Sequence, residues 1–248
     1  MTHFVKQMQE DLLALGVRPG GVLLVHSALR ALGPQHDPEM AVLALLAALG
    51  EQGTLLMPAL SYASVHSDNP VFDVRHTPSC VGGLPEYFRT RAGTLRSLHP
   101  THSVCGVGAQ AAQLLAGHEQ DHSPVGANSP FARLPRVGGQ ILFLGCGLRP
   151  NTSMHGIEEL VEPPYLYAPP IDYTLVRADG SQFSMHARRH NFQGWAQRYD
   201  RLEAVMPEGI HRGRVLQADC FLLESALMWP AAEAKLRQDP LFFVEPGI

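Results

Sequence analysis

Strong charge and long apolar runs are both missing from this 248-residue sequence. Charged residues make up 17% of it and the formal net charge is -4, which argues against nucleic acid or an anionic membrane as a partner. No apolar run reaches the roughly 18 residues that a membrane-spanning helix needs. Residues 1–16 have no cleavable apolar core, because Asp and Glu interrupt it, so no signal peptide is expected. A cytoplasmic protein is therefore predicted.

Cysteine is also scarce. The sequence contains Cys80, Cys105, Cys146 and Cys220, and none of them belongs to a C-x-x-C pair. Three of the four lie in apolar or glycine-rich segments. Buried free thiols are therefore predicted in preference to disulfides.

The usual glycine signatures of nucleotide sites are absent as well. Neither G-x-G-x-x-G nor G-x-x-x-x-G-K-[ST] occurs, and "CGVGAQ" has no third glycine after Gly106 and Gly108, so ordinary dinucleotide and P-loop sites are not expected. No G-x-S-x-G marks a serine nucleophile elbow. By contrast, Ser27 in "LLVHSALRALG" ends an apolar strand, where backbone N–H groups can bind the phosphates or amides of a cofactor.

Apolar segments alternate with amphipathic ones along most of the chain. "GVLLVHS", "GTLLMPAL" and "GQILFLGCG" are typical of strands that are covered on both faces. Helices are predicted before Gly16, in "DPEMAVLALLAALG" with Asp37 as its cap, and in "GGLPEYFRTRAG". Residues 61–82 lack periodicity and are predicted to form a long loop. This order favours one α/β domain over residues 1–248.

The pattern changes at about residue 171. "IDYTLVRADGSQFSMHARR" alternates around Asp179 and Gly180, which predicts an antiparallel hairpin. "NFQGWAQRYDRLEAVM" and "ESALMWPAAEAKLRQDP" are predicted to be helical. The alternating strands and helices should therefore be followed by an antiparallel excursion and further helices.

The segment "RPNTSMHGIEELVEP" places His155 three residues before Glu158 at the start of a predicted helix. Asn151 or Thr152 can cap that helix, so His155 falls in or near its first turn. A spacing of three puts both side chains on one face, where the carboxylate can accept a ring N–H and fix the tautomer. Such a pair suits a general base near neutral pH, although an ordinary surface pair on a helix has the same spacing.

A second polar segment, "LRSLHPTHS", leads into an apolar strand. Its Arg96, His99, His102 and Ser103 are typical of a strand end that faces a ligand, and equally of a polar loop that enters a sheet. The metal site of a hydrolase could use His99 and His102 together with His155. Because that spacing matches no standard zinc signature, no metal ligand is predicted.

In their order along the chain, these segments resemble those of the aminoglycoside N3-acetyltransferase family, which has the antibiotic N-acetyltransferase fold. The matching segments are "LLVHSALRALG", "GTLLMPALSY", "NPVFDVRHTPSCVGGLPEYFR", "RSLHPTHSVCGVG", "SPFARL", "GQILFLGCG" and "NTSMHGIEE". R-S-x-H-P followed by T-x-x-H-x-x-E is the most specific combination. The resemblance implies a three-layer α/β/α fold with a central, partly parallel mixed sheet and a C-terminal antiparallel hairpin plus helices.

The resemblance also implies an activity. It makes acetyl-CoA the co-substrate and an amine the acceptor, foremost the 3-amino group of an aminoglycoside, which would confer antibiotic resistance; a homodimer is an open expectation. His155 would be the catalytic base and Glu158 its orienting partner. The residues expected to contact acetyl-CoA are Ser27, Ala28, Leu29, Arg30, Gly33, Arg96, Ser103 and Val104. Those expected to contact the amine are Tyr62, Asp73, His99, Glu159 and His190.

Acetyl transfer to an amine makes a chemical demand that a base would meet. An alkyl ammonium group is only about 0.1% neutral at pH 7, and only the neutral amine attacks a thioester. A positioned base therefore addresses a shortfall of about 4 kcal/mol. The resulting oxyanion needs a donor, for which Ser27 and Ser103 are candidates. Direct transfer in a ternary complex requires no covalent enzyme intermediate.

One segment departs from the family pattern. Members that take polycationic aminoglycosides often carry acidic residues after the hairpin, whereas this chain has Arg188, Arg189 and His190. These residues would repel a polyamine if they faced the substrate, but they could equally form a solvated face. An amine that also carries an anionic group is therefore an alternative acceptor. A CoA-binding protein of the same fold without turnover is the alternative function.

Overall fold

A seven-stranded mixed sheet forms the centre of the molecule, in a computed structural model that describes residues 2–34 and 37–247. Across the sheet the strands are β10 (Ile210–Val215), β11 (Ala218–Glu224), β6 (Gln140–Leu144), β1 (Val22–Ser27), β2 (Thr54–Pro58), β5 (Val104–Gly108) and β4 (Leu95–Arg96). The central strand β1 pairs in parallel with β2 and β6, and the remaining neighbours are antiparallel. The predicted partly parallel mixed sheet is confirmed.

Helices cover both faces of this sheet. They are α1 (His3–Leu15), α2 (Pro38–Leu49), α3 (Gly83–Thr90), α4 (Ala111–Leu115), α5 (Pro130–Arg133), α6 (Ser153–Val161), α7 (Leu202–Val205) and α8 (Ser225–Gln238). Two predicted helix ends are confirmed: the Asp37 side chain accepts the Met40 N–H at the start of α2, and Gly16 ends α1 in the left-handed region at φ 109°.

The two faces of β1 pack into different cores. Leu23 and Val25 belong to a buried cluster that includes residues of α1 and α2, whereas Val22 and Leu24 belong to one that includes residues of α6 and α8. A strand buried on both faces has no polar face to alternate with, which explains its continuous apolar run. The predicted three-layer α/β/α arrangement is confirmed.

Two smaller sheets lie beside the central one. The first consists of β3 (Val71–Asp73), β7 (Tyr167–Val176) and β8 (Gln182–His190), and the second pairs β9 (Trp195–Gln197) with β12 (Val244–Pro246). The hairpin predicted around Asp179 and Gly180 is β7 and β8. The loop predicted over residues 61–82 is interrupted by β3, which pairs in parallel with β7.

Two parts of the C-terminal half differ from the prediction. "NFQGWAQRYDRLEAVM" is not one helix: β9 occupies its middle after the left-handed Gly194 (φ 79°), and helical structure is confined to residues 199–205. The hairpin of β10 and β11 was not predicted from the sequence. Its tight turn contains a left-handed Leu216 (φ 53°) in place of the usual glycine or asparagine, so the sequence carries no turn signal there.

The cysteines within the described residues are free thiols. Cys105 and Cys220 are buried and Cys146 is half-buried, in agreement with the prediction. Cys80 is exposed, so the prediction of a buried thiol is wrong there, because this residue lies in the irregular segment before α3. Throughout residues 2–34 and 37–247, no helix combines the length and the apolarity that a bilayer span requires.

Candidate active site

A cavity of about 610 Å³ lies where the parallel strands of the central sheet end. His26 and Ser27 are the last residues of β1, Pro58 ends β2, Cys146 follows β6, and His155 stands in the first turn of α6. The crevice beyond the carboxyl ends of parallel strands is the usual ligand site of α/β sheets. Other residues that line it include Tyr62, Thr101, His102, Asn151, Tyr173, Arg189, His190, Phe192 and Tyr199.

The wall formed by α6 contains a buried hydrogen-bonded cluster. His155 Nδ1 lies 3.2 Å from Glu158 Oε2 and 3.0 Å from the Tyr199 hydroxyl. Tyr199 donates to Glu158 Oε2 at 2.8 Å, and Tyr165 donates to Glu158 Oε1 at 2.8 Å. Glu158 is 0% exposed, so its carboxylate is satisfied entirely by these three neighbours. The alternative of an ordinary surface pair is therefore excluded.

The cluster determines which ring nitrogen of His155 carries a proton. Burial, and then the charge of Glu158, raise the pKa of Tyr165 and Tyr199, so both hydroxyls remain donors to the carboxylate. A carboxylate can only accept, so the proton between it and the ring must sit on Nδ1. In the neutral ring this tautomer leaves Nε2 as the acceptor, and His155 lines the cavity.

The start of α6 brings this histidine to the cavity without a side-chain capping bond. Thr152 is the N-cap residue, as one of the two predicted alternatives, but its side chain makes no capping bond, and the Asn151 amide donates to Met228 Sδ at 3.2 Å. The helix instead packs closely at Gly156. A Cβ there would lie 2.6 Å from both Trp229 and Val125, so glycine is what allows this approach.

Two further imidazoles surround His155. The ring of His190 lies 4.8 Å from it and that of His102 lies 5.8 Å from it, centroid to centroid. Burial, followed by the charges of neighbouring histidines, holds the pKa of both His102 and His190 well below the usual range. The surroundings of His155 are therefore neutral imidazoles, which can accept or donate hydrogen bonds but add no charge.

These three histidines are also the group that could hold a metal ion. His102, His155 and His190 each offer a ring nitrogen, and these atoms lie within 4.8 Å of one another, a ligand set that zinc accepts. The trio inferred from the sequence had His99 in place of His190. His99 is fully buried, and both its ring nitrogens are engaged by the backbone, so it cannot belong to such a site.

The turn after β1 contains the first group of predicted acetyl-CoA contacts. Ser27 lines the cavity, and its Oγ is buried without a hydrogen-bond partner among the described residues. Ala28, Leu29, Arg30 and Gly33 do not line the cavity; they form the short helical turn that follows Ser27, and Ala28 N–H donates to the end of β6 at 2.9 Å. Their contact with acetyl-CoA stays a prediction.

The second group of predicted acetyl-CoA contacts lies inside the protein. Ser103 Oγ donates to the Ala59 carbonyl at 2.8 Å and accepts from Arg96 Nε at 2.9 Å. Ser103 and Val104 are both 0% exposed, and neither they nor Arg96 lines the cavity. This cavity therefore gives no support for contacts of Arg96, Ser103 and Val104 with acetyl-CoA, and these contacts stay predictions. Ser103 is excluded as an oxyanion donor, because its hydroxyl hydrogen is already committed.

Some of the residues predicted to contact the amine line the cavity, and others do not. Tyr62 and His190 line the cavity. Glu159 lies behind the wall, 2.8 Å from His190 Nε2, and reaches the cavity only through that ring. His99 is buried, and the Asp73 carboxylate accepts backbone N–H groups of its own turn. Asp73, Glu159 and His99 do not line the cavity, so the cavity does not support their predicted contact with the amine, which stays a prediction.

Three residues of the site were not singled out from the sequence. Tyr165 and Tyr199 bind Glu158, but Tyr199 lies 41 residues further along the chain, so no fixed spacing could indicate it. His26 lines the cavity and stacks on Phe143 at 5.1 Å. Burial lowers its pKa to about 3. Its position next to Ser27 at a predicted strand end was the signal available in the sequence.

Because several histidine rings are buried, we predict that the folded protein is less stable in weak acid than at neutral pH. Burial is the largest cause of the lowered pKa at each of His26, His99, His102, His118 and His190. Below about pH 6.5 the unfolded chain binds protons at these rings and the folded chain does not, so the unfolding free energy falls by up to about 1.4 kcal/mol per ring and pH unit. Burial also raises the pKa of Glu159 to about 7. Between about pH 4.5 and 7 the folded chain therefore binds a proton at Glu159 that the unfolded chain does not bind. This offsets the loss of unfolding free energy caused by about one histidine ring.

We therefore expect the Tm to fall by about 5 °C or more between about pH 7.5 and 5.5, as measured by calorimetry. His118→Gln removes one buried ring outside the cavity and should flatten this dependence. His211→Gln, at an exposed position, should leave it unchanged. An equal or higher Tm at the lower pH would contradict the buried, neutral state of these rings.

Comparison with known proteins gives consistent matches. The family model described as Aminoglycoside 3-N-acetyltransferase matches residues 24–237. Aminoglycoside N(3)-acetyltransferase IV of Salmonella sp is 34% identical over 245 residues, which cover 95% of this chain and 88% of the relative.

Solved structures match over nearly the whole chain. A mutant of aminoglycoside acetyltransferase AAC(3)-IVa in complex with gentamicin has a TM-score of 0.81 at 32% identity, covering 97% of this chain and 91% of that one. AAC-IIIb in a binary complex with CoASH has a TM-score of 0.83 at 25% identity, covering 98% of both chains. The fold and these matches define an acyltransferase. The chain belongs to the aminoglycoside 3-N-acetyltransferase family.

Proposed function

We propose that this enzyme transfers the acetyl group of acetyl-CoA directly to an amine, with His155 as general base. Nε2 of His155 takes a proton from the amine nitrogen, which forms a bond to the thioester carbon. The carbon–sulfur bond then breaks, and the CoA thiolate leaves and takes up a proton. The buried contact of His155 Nδ1 with Glu158 at 3.2 Å carries this proposal, because it fixes the tautomer that a base requires.

Acetyl-CoA is proposed to enter beside the end of β1. Ser27 lines the cavity, and its buried Oγ has no partner among the described residues, so we assign it the role of donor to the oxyanion that forms at the thioester carbonyl. The turn after Ser27 would then receive the outer part of the cofactor. The binary complex of AAC-IIIb with CoASH supports acetyl-CoA as the co-substrate, since that protein shares the fold.

The acceptor has two candidates. The names of the relatives, and the gentamicin complex of one of them, make the 3-amino group of an aminoglycoside the first candidate. The second is an amine outside this class. It is favoured by the lining of the cavity, which contains Arg189 and, among the described residues, no carboxylate.

Release of free CoA from acetyl-CoA, followed with a thiol reagent, tests the proposal across a panel of amines that includes an aminoglycoside. We expect release that depends on both the enzyme and the amine, and a matching acetylated product by mass spectrometry. CoA binding seen as thermal stabilisation, without turnover on any amine, would contradict the proposal and support a CoA-binding protein of the same fold.

A further inference from the structure

The positive charge of the cavity beside His155 comes from arginine, because burial keeps the pKa of His26, His102 and His190 low. Within the part of the chain that the structure describes, the lining of this cavity contains two arginines and five histidines but no Asp or Glu. The first arginine, Arg149, is largely exposed and lies 3.4 Å from the Asp200 carboxylate, so solvent and a partner moderate its charge. The second, Arg189, has no such partner.

Arg189 lines the cavity and carries an unsatisfied donor. Its Nε is shielded from solvent and finds no hydrogen-bond acceptor in residues 2–34 and 37–247, and no carboxylate there forms an ion pair with it. The adjacent Arg188 behaves differently, because it pairs with Glu162 at 2.8 Å and lies over the Tyr167 ring outside this cavity. Burying a donor without an acceptor is unfavourable, so Arg189 is arranged to receive one.

A second unsatisfied donor belongs to another part of the cavity wall. Tyr173, on the paired strand β7, lines the cavity, and its hydroxyl is buried without a partner among the described residues. Tyr173 pairs with Met185, whereas Arg189 pairs with Ala168, so the two side chains stand at different positions along the hairpin. The guanidinium of Arg189 is the charged donor, and its geometry matches the oxygens of a carboxylate or phosphate.

Arg189 lines the same cavity as the base. His155, His190 and Arg189 all belong to the wall of this cavity of about 610 Å³, and the ring of His190 lies 4.8 Å from that of His155. A small acceptor that occupies the cavity can therefore place its amine at His155 and an anionic group at Arg189. An aminoglycoside would instead bring several ammonium groups against Arg189, and the described residues of the cavity wall include no carboxylate to receive them.

We propose that the acceptor of this enzyme is an amine that also carries a carboxylate or phosphate group, which Arg189 binds. The inference rests on the proposed acetyl transfer at His155 and specifies its substrate class. It makes Arg189 a residue that determines specificity.

Steady-state CoA release with four acceptors tests this. 4-Aminobutanoate and O-phosphoethanolamine carry the anionic group, butylamine lacks it, and sisomicin is a polycationic aminoglycoside. For the wild type we expect kcat/KM at least about tenfold higher with an anionic amine than with butylamine or sisomicin, a factor typical of charge-assisted hydrogen bonds. Whichever of the two anionic amines has the higher kcat/KM then shows whether the site prefers a carboxylate or a phosphate group.

Variants separate the role of Arg189 from general effects. Arg189→Gln should remove the preference through a raised KM for the anionic amine, and Arg189→Lys should retain part of it. Arg188→Gln, the matched control outside the cavity, should keep it in full. The Kd of CoA, measured by isothermal titration calorimetry, should not change in any of the three.

Several results would overturn the inference. The first is a wild-type rate with butylamine or sisomicin that equals or exceeds the rate with the anionic amines. The second is a preference for anionic amines that survives in Arg189→Gln. The third is a loss of CoA affinity in that variant, which would assign Arg189 to the phosphates of CoA. The comparison of wild-type rates with the four amines tests the inference even if Arg189→Gln fails to fold. If all four amines are acetylated at equal rates, only this inference is contradicted. If none of them is acetylated, the proposed acetyl transfer is contradicted as well.

Discussion

Replacing His155 by alanine is expected to lower kcat/KM for the acceptor amine by about 10²- to 10⁴-fold. The imidazole is the group proposed to take the proton of the amine, and Glu158 and Tyr199 hold it in place at 3.2 and 3.0 Å. Without it the reaction depends on the small neutral fraction of the amine. The residual rate should therefore rise about tenfold per pH unit up to the amine pKa. CoA release measured between about pH 6 and 9 gives both quantities.

Binding measurements separate this chemical role from a structural one. His155 lies at the cavity wall and is 8% exposed, so His155→Ala should still fold and bind CoA with nearly the wild-type Kd. His211→Ala, at an exposed position away from the cavity, is the matched control and should keep full activity. If His155→Ala retained more than about a tenth of the wild-type kcat/KM, the ring would not be the base.

Exchanging Glu158 for glutamine should also reduce kcat strongly, by about 10²- to 10⁴-fold. The carboxylate accepts three hydrogen bonds, from Tyr165, Tyr199 and the ring of His155. Glutamine fills the same volume but brings an N–H₂ group, which can pair with the ring only if Nδ1 loses its proton. With the N–H₂ group turned toward the ring, the proton moves to Nε2, and the ring can no longer accept one from the amine. KM for the acceptor should change much less than kcat.

A spectroscopic readout distinguishes this positioning role from simple loss of stability. Nitrogen NMR of labelled histidine should detect the His155 proton on Nδ1 in the wild type and on Nε2 in Glu158→Gln. The matched control is Glu162→Gln, because Glu162 also follows His155 closely but is exposed and pairs with Arg188. An unchanged tautomer together with normal kcat in Glu158→Gln would contradict the orienting role.

The site could be predicted from the sequence where its parts are local. His155 and Glu158 are three residues apart on one helix, so helix geometry alone brings them together. Tyr199 could not be predicted, because tertiary packing places it beside them. Ser103 and His99 were assigned to the ligand from a dense polar segment, yet both are buried. Polar residues that enter a sheet can serve backbone hydrogen bonds as readily as a ligand, and spacing does not distinguish the two.

The fold shows the same division. The apolar runs of β1, β2 and β6 and the capped helix α2 carry strong local signals, and the structure confirms them. The hairpin of β10 and β11 lacks a glycine turn, and β9 depends on pairing with β12 at the far end of the chain. Whether Arg189 faces the cavity also depends on such tertiary pairing, since β8 lies at the site through its contact with β7.

A crystal structure of the enzyme with CoA and its acceptor amine tests the central claim most directly. The proton-transfer geometry requires the amine nitrogen within about 3.2 Å of His155 Nε2, with the CoA sulfur in the same cavity beside Ser27. An amine bound with its nitrogen more than about 6 Å from that ring and no bridging water, or a CoA sulfur outside the cavity, would contradict the proposed mechanism.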